Sequence, residues 1–373
     1  MGISELLRVP ELGERYRKLK RYFHLRESAY DVTSSCQLRC DGCYYFEGEK
    51  YKVQDNRDPE AWRAFFRSER ERGINYVILA GAEPALVPKV LRACHDVIPT
   101  GSVASNGLKP IDRELRYRVH LSVWGDGTGD PQYRRYAKGT PGPYCLLRQL
   151  ENYRGDDRVI FAYTFNHENV DQVDEVLRRV HGEGHQLTFN VFSAPSMSQS
   201  RLRLRDHLRS TRDKMFRAID DYPETVIYSY YNAIVHTSER SLHELFACPY
   251  PRARHAAGVK GHGLGETFRS HRTDFSHVSE SDCCVPDIDC ADCRHYAAGS
   301  AIVTSRLNLH VESETLFRGW LDYVDAYLAV WVLGYKRDRP LFRYDGTDPV
   351  ASLASTRDAS TAMARTHLPL APA

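Results

Sequence analysis

Ala29-Tyr-Asp-Val-Thr-Ser-Ser35 runs directly into Cys36-Gln-Leu-Arg-Cys40-Asp-Gly-Cys43, with Tyr44, Tyr45 and Phe46 behind it. The first seven residues are β-rich and alternate, so the cysteines fall just past a strand's carboxyl end, where α/β barrels place their chemistry. Three thiolates at these spacings can wrap one side of a cubane iron-sulfur cluster from a single loop, whereas a complete cluster usually has four cysteine ligands. One iron is then left for a co-substrate, much as catalytic zinc sites keep one position open. A zinc knuckle would need a fourth ligand close by, and the nearest histidines are His24, before the strand, and the distant His95.

The rest of the chain narrows the class. Among 373 residues, 51 Lys and Arg stand against 49 Asp and Glu, a net charge of +2 that offers no global footprint for nucleic acid or membrane. No apolar run is long enough to span a bilayer. The first eight residues are already charged, so no secretory signal is read there and a cytoplasmic location is expected. Eight of the ten cysteines fall into two groups, Cys36/Cys40/Cys43 and Cys248/Cys283/Cys284/Cys290/Cys293, a distribution that suits metal better than a disulfide framework. Cys94, Cys145 and His120 read as structural.

From Ala29 onward the pattern alternates as βα units do. Strands are expected at 29–35, 76–81, 101–106, 118–124, 158–165 and 187–193. Helices are expected near 59–72, 85–96, 111–116, 142–153 and 170–183. Asp58-Pro59-Glu60 supplies a capped start with proline in the first turn. Residues 1–28 read as one or two short helices against the barrel. A linker at 194–210 leads to a helix near 206–220, then to a β segment, Thr225-Val-Ile-Tyr-Ser-Tyr-Tyr231, whose tyrosines could line a polar organic pocket. Glu312–Lys336 reads as a helix packed on the domain or forming a dimer interface, and the last thirty residues as a poorly ordered tail. The expected fold is α/β, a partial (βα)6 TIM-type barrel with a small C-terminal cysteine-rich iron-sulfur domain.

The cysteine loop after the first strand resembles the CxxxCxxC signature of the radical S-adenosylmethionine (radical SAM) superfamily, and its aromatic tail is similar to that of members with a SPASM or related auxiliary-cluster domain. Gly42 departs from the family, which usually has an aromatic residue before the third cysteine. Further strand ends carry similar motifs. Gly81-Ala82-Glu83-Pro84 resembles the family's GGEP, which implies contact with the SAM amino group through backbone carbonyls and the glutamate. Ser105-Asn106-Gly107 resembles TNG. Ser122-Val-Trp-Gly-Asp126-Gly127 resembles SxDG, implying Ser122 for the SAM carboxylate. Lys138-Gly-Thr-Pro-Gly142-Pro-Tyr144 looks like RGxxGSF, implying that Lys138, or Arg134 or Arg135 in its place, faces SAM. Asn166 and Asn190 are candidates for the adenosyl group, or are satisfied local amides.

The second group, Cys248, Cys283, Cys284, Cys290 and Cys293, resembles a truncated SPASM or twitch-like segment and implies an auxiliary [4Fe-4S] cluster. A structural four-cysteine zinc site satisfies the same spacing. The resemblance implies domains at 1–28 (helical extension), 29–200 (radical SAM core), 201–310 (linker helix and auxiliary cluster) and 311–373 (helix and tail). It also implies a [4Fe-4S] cluster on Cys36, Cys40 and Cys43, SAM as co-substrate, and an electron donor such as flavodoxin or ferredoxin. A small-molecule substrate is the expectation; a peptide- or protein-modifying maturase and a non-catalytic zinc or iron-sulfur module are the rivals.

Overall fold

The computed structural model describes residues 2–47, 52–127, 134–137, 139–140, 142–143, 145–194, 201–246, 268–277, 293–351 and 353. Six strands, β1 (Glu27–Asp31), β2 (Tyr76–Ala80), β3 (Gly101–Ser105), β4 (Arg118–Val123), β5 (Val159–Phe165) and β6 (Gln186–Val191), lie side by side in chain order. Each neighbouring pair is parallel. A doubly wound sheet reverses its order at a switch point, whereas an order that runs one way throughout curls toward a barrel. The fold is therefore the expected partial TIM-type α/β barrel. A two-residue strand, Ser270–His271, adds to the outer edge of β1 and was not foreseen.

Helices between the strands cover one face of the sheet: α2 (Pro59–Glu71), α3 (Pro88–Val97), α4 (Cys145–Asn152) and α5 (Val173–Gly182), preceded in the chain by α1 (Pro10–Lys20). Asp58 caps α2, accepting from Glu60 N at 2.9 Å. The outward residues of the strands meet this layer, as where Tyr30 packs on Phe66 with ring centres 4.8 Å apart. Buried apolar area of this kind is worth about 2–3 kcal/mol for each aromatic side chain. Cys94 and Cys145 are buried, as expected of structural cysteines.

After β6 come α6 (Leu208–Asp221), α7 (Tyr230–His236), α8 (Tyr296–Thr304) and α9 (Glu314–Trp331). The last turn of α9 sits under the barrel. Its terminal carbonyls have no helical partners, and inward side chains of the sheet supply them. Tyr76 Oη donates to Trp331 O at 2.6 Å, Arg118 Nε to Val330 O at 3.1 Å, and His120 Nε2 to Val330 O at 3.1 Å. A guanidinium there also suits the negative end of the helix. The acids that keep α9 from reading as a membrane span, Asp322 and Asp325, are buried against Arg15 and Lys18 of α1.

Two expected elements are not there. Residues 111–116 form turns rather than a helix. Asp112 Oδ1 accepts from Glu114 N at 3.0 Å, Asp112 O takes Leu115 N in a turn, and the buried Arg158 donates to the carbonyls of Ile111, Asp112 and Leu115 in competition with helical N–H groups. The expected strand 225–231 is reduced to a bridge between Leu187 and Val226. Ser229 and Asn232 then form a capping box that starts α7, so Tyr230 and Tyr231 are helical. Tyr228 and Tyr231 are fully buried core residues and do not line a pocket. β1 also stops at Asp31, short of Ser35, because Thr33 to Ser35 bond elsewhere, as described below. Most of the C-terminal tail lies outside the described residues.

Candidate active site

Parity along the strands identifies the inner face of the barrel. Glu27, Tyr76, Arg118 and His120 reach α9 from inside, so Ala29, Asp31, Ile78, Ala80, Ala104, Ser122, Ala162 and Asn190 share that face. The outward residues are buried, whereas Ala29, Ile78, Ala80, Ser122, Ala162 and Asn190 are partly exposed and Ala104, in a central strand, is exposed. Four of these positions are alanines, and together they leave a hollow of accessible surface on the inner face above the α9 floor. The three-cysteine loop lies over the mouth of this hollow, beyond the end of β1.

The loop is stitched to the next strand end. Val32 N donates to Ala80 O at 3.0 Å, and Ala82 N to Thr33 O at 2.9 Å. Gly81 has φ +115°, and a Cβ there would stand 2.7 Å from Thr33 O, so only glycine fits this crossing. Within the loop, Leu38–Cys40 pairs antiparallel with Arg134–Tyr136. Cys36 Sγ accepts from Leu38 N at 3.3 Å and from Asn106 Nδ2 at 3.7 Å, while Gln37 Nε2 donates to Asn106 Oδ1 at 3.3 Å. Sequence reasoning had not singled out Gln37.

Burial pushes the Cys36 thiol up to about 11, against the opposing N–H of Leu38. Burial, with the neighbouring Cys40, pushes Cys43 up to about 12, against the N–H groups of Phe46 and Tyr45. Such thiols hold their protons until a cation displaces them, and the N–H groups already aimed at sulfur are those that stabilise ligating thiolates. In a cubane each thiolate takes its own iron. Three half-buried thiols on one short loop, with N–H groups aimed at sulfur, are donor chemistry that fits such a cluster.

Glu83 is fully buried beneath the loop. Its Oε1 accepts from Ala85 N at 3.0 Å and Ser105 Oγ at 2.7 Å, and its Oε2 from Asn106 N at 2.7 Å. Burial still raises its pKa above the usual carboxylate value. With about four acceptor positions on a carboxylate, two are spent bracing the end of β3 and one capping the turn at Pro84–Leu86. Pro84 begins the short turn that follows. Ser122 Oγ accepts from Trp124 Nε1 at 3.0 Å, and Ser122 O from Arg134 Nη1 at 2.7 Å. Arg134 is buried and within electrostatic reach of both Glu83 and Cys36. Arg135 instead pairs with Asp41 at 3.0 Å on the more exposed side. Lys138 lies outside the described residues.

The two asparagines separate. Asn166 is fully buried at the end of β5; its Oδ1 accepts from Glu168 N, and its Nδ2 has no partner among the described residues. Asn190 Oδ1 accepts from Tyr296 N at 2.9 Å, joining β6 to α8. The aromatic absent at position 42 has a neighbour in its place. Gly42 has φ +72°, and a Cβ there would meet the Phe192 ring at 2.6 Å. Phe192 in turn packs on Trp124 with ring centres 5.8 Å apart. No local pattern announces this contact, since it joins residues 150 positions apart.

Of the second cysteine group, Cys248, Cys283, Cys284 and Cys290 lie outside the described residues. Cys293 is partly buried, and the next residue fastens it to the rim of the barrel, Arg294 N donating to Ser193 Oγ at 2.9 Å.

No family model matches the chain, and no curated protein matches it. Among solved structures, the chain is similar to Streptococcus suis SuiB bound to S-adenosylmethionine, at 16% identity and a TM-score of 0.41, over 57% of this chain and 49% of that one. It is similar to native anSMEcpe with bound AdoMet and Cp18Cys peptide, at 16% identity and a TM-score of 0.43, over 57% of this chain and 65% of that one. The FeFe-hydrogenase maturase HydG from Carboxydothermus hydrogenoformans aligns at 11% identity with a TM-score of 0.40, over 84% of this chain and 82% of that one. The match spans about half the length of SuiB. Likenesses this distant carry neither activity nor substrate over to this chain.

Proposed function

We propose that this chain is a radical SAM enzyme acting on a small molecule held in the barrel. The observation that carries the reading is the half-exposed inner face beneath a loop of three half-buried thiols. When bound, a [4Fe-4S] cluster supplies the electron that splits SAM to a 5'-deoxyadenosyl radical, which takes hydrogen from an unactivated position. Cys36, Cys40 and Cys43 hold that cluster. The bend at Gly81, Ala82, Glu83 and Pro84 offers acceptors to the SAM ammonium, and Arg134, with Ser122 beside it and Lys138 as the motif's other candidate, faces the SAM carboxylate. Ser105 and Asn106 position the loop and co-substrate, and Asn166 offers its buried amide to the adenosyl part. Asn190 lies on the same wall, with its oxygen committed to α8.

The closed floor favours a compact substrate: α9 seals the barrel from below, and α8 is fastened against β6. We assign a second [4Fe-4S] cluster to Cys248, Cys290, Cys293 and one of Cys283 or Cys284, within the domain layout given above, and a flavodoxin or ferredoxin as electron donor. Reduction of the reconstituted chain under strict anaerobiosis, followed by quantitation of 5'-deoxyadenosine, tests the activity. Deuterium transfer from candidate metabolites into that product tests the substrate. A deuterated peptide that labels it, with no small molecule doing so, would overturn the small-molecule assignment.

A further inference from the structure

Between the end of β1 and Cys36 lie only Val32, Thr33, Ser34 and Ser35, and one carboxylate holds the last three. Asp55 Oδ2 accepts from Thr33 Oγ1 at 2.7 Å and from Ser35 Oγ at 3.5 Å, and its Oδ1 accepts from Ser34 N at 2.5 Å. Arg57 completes the clamp, reaching Asp55 Oδ2 at 3.4 Å and Ser35 Oγ at 2.8 Å. On the other side Thr33 O receives Ala82 N, so the approach to Cys36 is gripped from two directions. Hydrogen bonds from Ser34 and Thr33 outweigh the cost of partial burial and hold the Asp55 carboxyl below the usual carboxylate range. The charge is therefore fixed at neutral pH. It also reaches the cysteine loop: Tyr45, buried with its hydroxyl unpartnered among the described residues, feels both Asp55 and Cys43.

We infer that Asp55 is a positioning residue for the cluster, shaping the Thr33–Ser35 approach to Cys36 and placing a carboxylate charge, offset only in part by the largely exposed Arg57, that makes the cluster harder to reduce. The inference rests on the cluster assignment to Cys36, Cys40 and Cys43. A fixed anion in a partly buried setting opposes the arrival of an electron, and groups that orient ligands without touching the metal commonly matter about 10- to 100-fold in metal affinity.

Three substitutions separate geometry from charge. Asp55→Asn keeps an acceptor for Ser34 N and loses the charge; it should retain iron but shift the cluster's midpoint potential in the positive direction. Asp55→Ala loses both; its iron should leave about 10-fold faster under chelator challenge. Asp55→Glu should restore the potential toward wild type. Independently of any metal, hydrogen exchange at Ser34 N should speed up in the metal-free Asp55→Ala chain. If Asp55→Ala does not fold, Asp55→Asn alone decides the charge effect. An unshifted potential in Asp55→Asn overturns the role, as does iron retention in a folded Asp55→Ala equal to wild type. A wild-type chain that takes up no iron-sulfur cluster overturns the cluster assignment and this inference with it, whereas wild-type uptake with unaltered variants overturns this inference alone.

Discussion

The floor and the mouth of the barrel both carry polar side chains on the inner face, and they use them differently. At the floor, Arg118 donates to Val330 O, Ala329 O, Asp157 O and Gln186 Oε1, His120 to Val330 O, and Tyr76 to Trp331 O. Every one of these donors is spent on a carbonyl or amide oxygen, and the result is a plug. At the mouth, donors from Leu38 and Asn106 point at a sulfur, two thiols have raised proton affinity, and the walls below include Ala29, Ala80, Ala104 and Ala162. Inner-face polarity alone therefore does not mark a site in this molecule. What distinguishes the mouth is that its donors end on atoms able to bind something further. Asn190, polar and inward-facing, follows the floor's pattern, since its oxygen is committed to Tyr296 N.

The contrast can be broken by mutation. The largest effect belongs to the mouth: Cys36→Ala, Cys40→Ala and Cys43→Ala should each reduce 5'-deoxyadenosine formation to background while the chain keeps its thermal unfolding transition. Full activity in any of the three would erase the distinction. The floor should answer in the opposite way. Arg118→Ala takes the guanidinium away from Ala329 O and from Val330 O, which keeps only His120, and should cost about 2–4 kcal/mol in denaturant unfolding, with iron uptake preserved in the folded fraction.

Glu83 sharpens the comparison because it lies at the mouth but is bonded like a floor residue. Glu83→Ala should weaken SAM binding in titration and also destabilise the fold by about 1–3 kcal/mol, through Ser105, Asn106 and Ala85 losing their acceptor. Glu83→Gln, which keeps one oxygen, should do less of both.

A further contrast is one of pH on the metal-free chain. Burial, reinforced by Arg118, holds His120 down to about 3, and burial holds His236 and His310 down to about 4. The unfolded chain protonates these rings below about 6.5, so between those values the unfolded state binds more protons. Stability is complete above about pH 6.5 and should fall as the pH drops, on the order of 1 kcal/mol per pH unit for each histidine. Urea unfolding between pH 7.5 and 5 reads this slope, and His120→Gln should make it shallower.

The six strands were legible because most of them carry apolar outward residues, as at Val77 and Leu79 or Val119, Leu121 and Val123, and because strong breakers such as Asp58-Pro59 and Gly81 set them apart. The cysteine loop and the Gly81 bend were legible as spacings. What escaped depended on partners distant in sequence. Arg158 took the carbonyls that a helix at 111–116 needed, and the Ser229–Asn232 capping box turned an aromatic, β-branched stretch into a helix start. Phe192 beside Gly42 has no local signature because it needs the barrel to bring two strand ends together, and Asp55 beside Ser34 has none because the β1–α2 connection must first fold back on itself.

The central claim is that the three thiols at the mouth hold an iron-sulfur cluster with a position open to SAM. Electron paramagnetic resonance of the reduced, reconstituted chain, recorded with and without SAM, tests it most directly. The account predicts a cluster signal whose shape changes on adding SAM, with that SAM-responsive signal missing from Cys36→Ala, Cys40→Ala and Cys43→Ala. A signal indifferent to SAM, or stoichiometric zinc bound by those three cysteines in place of iron, would contradict it.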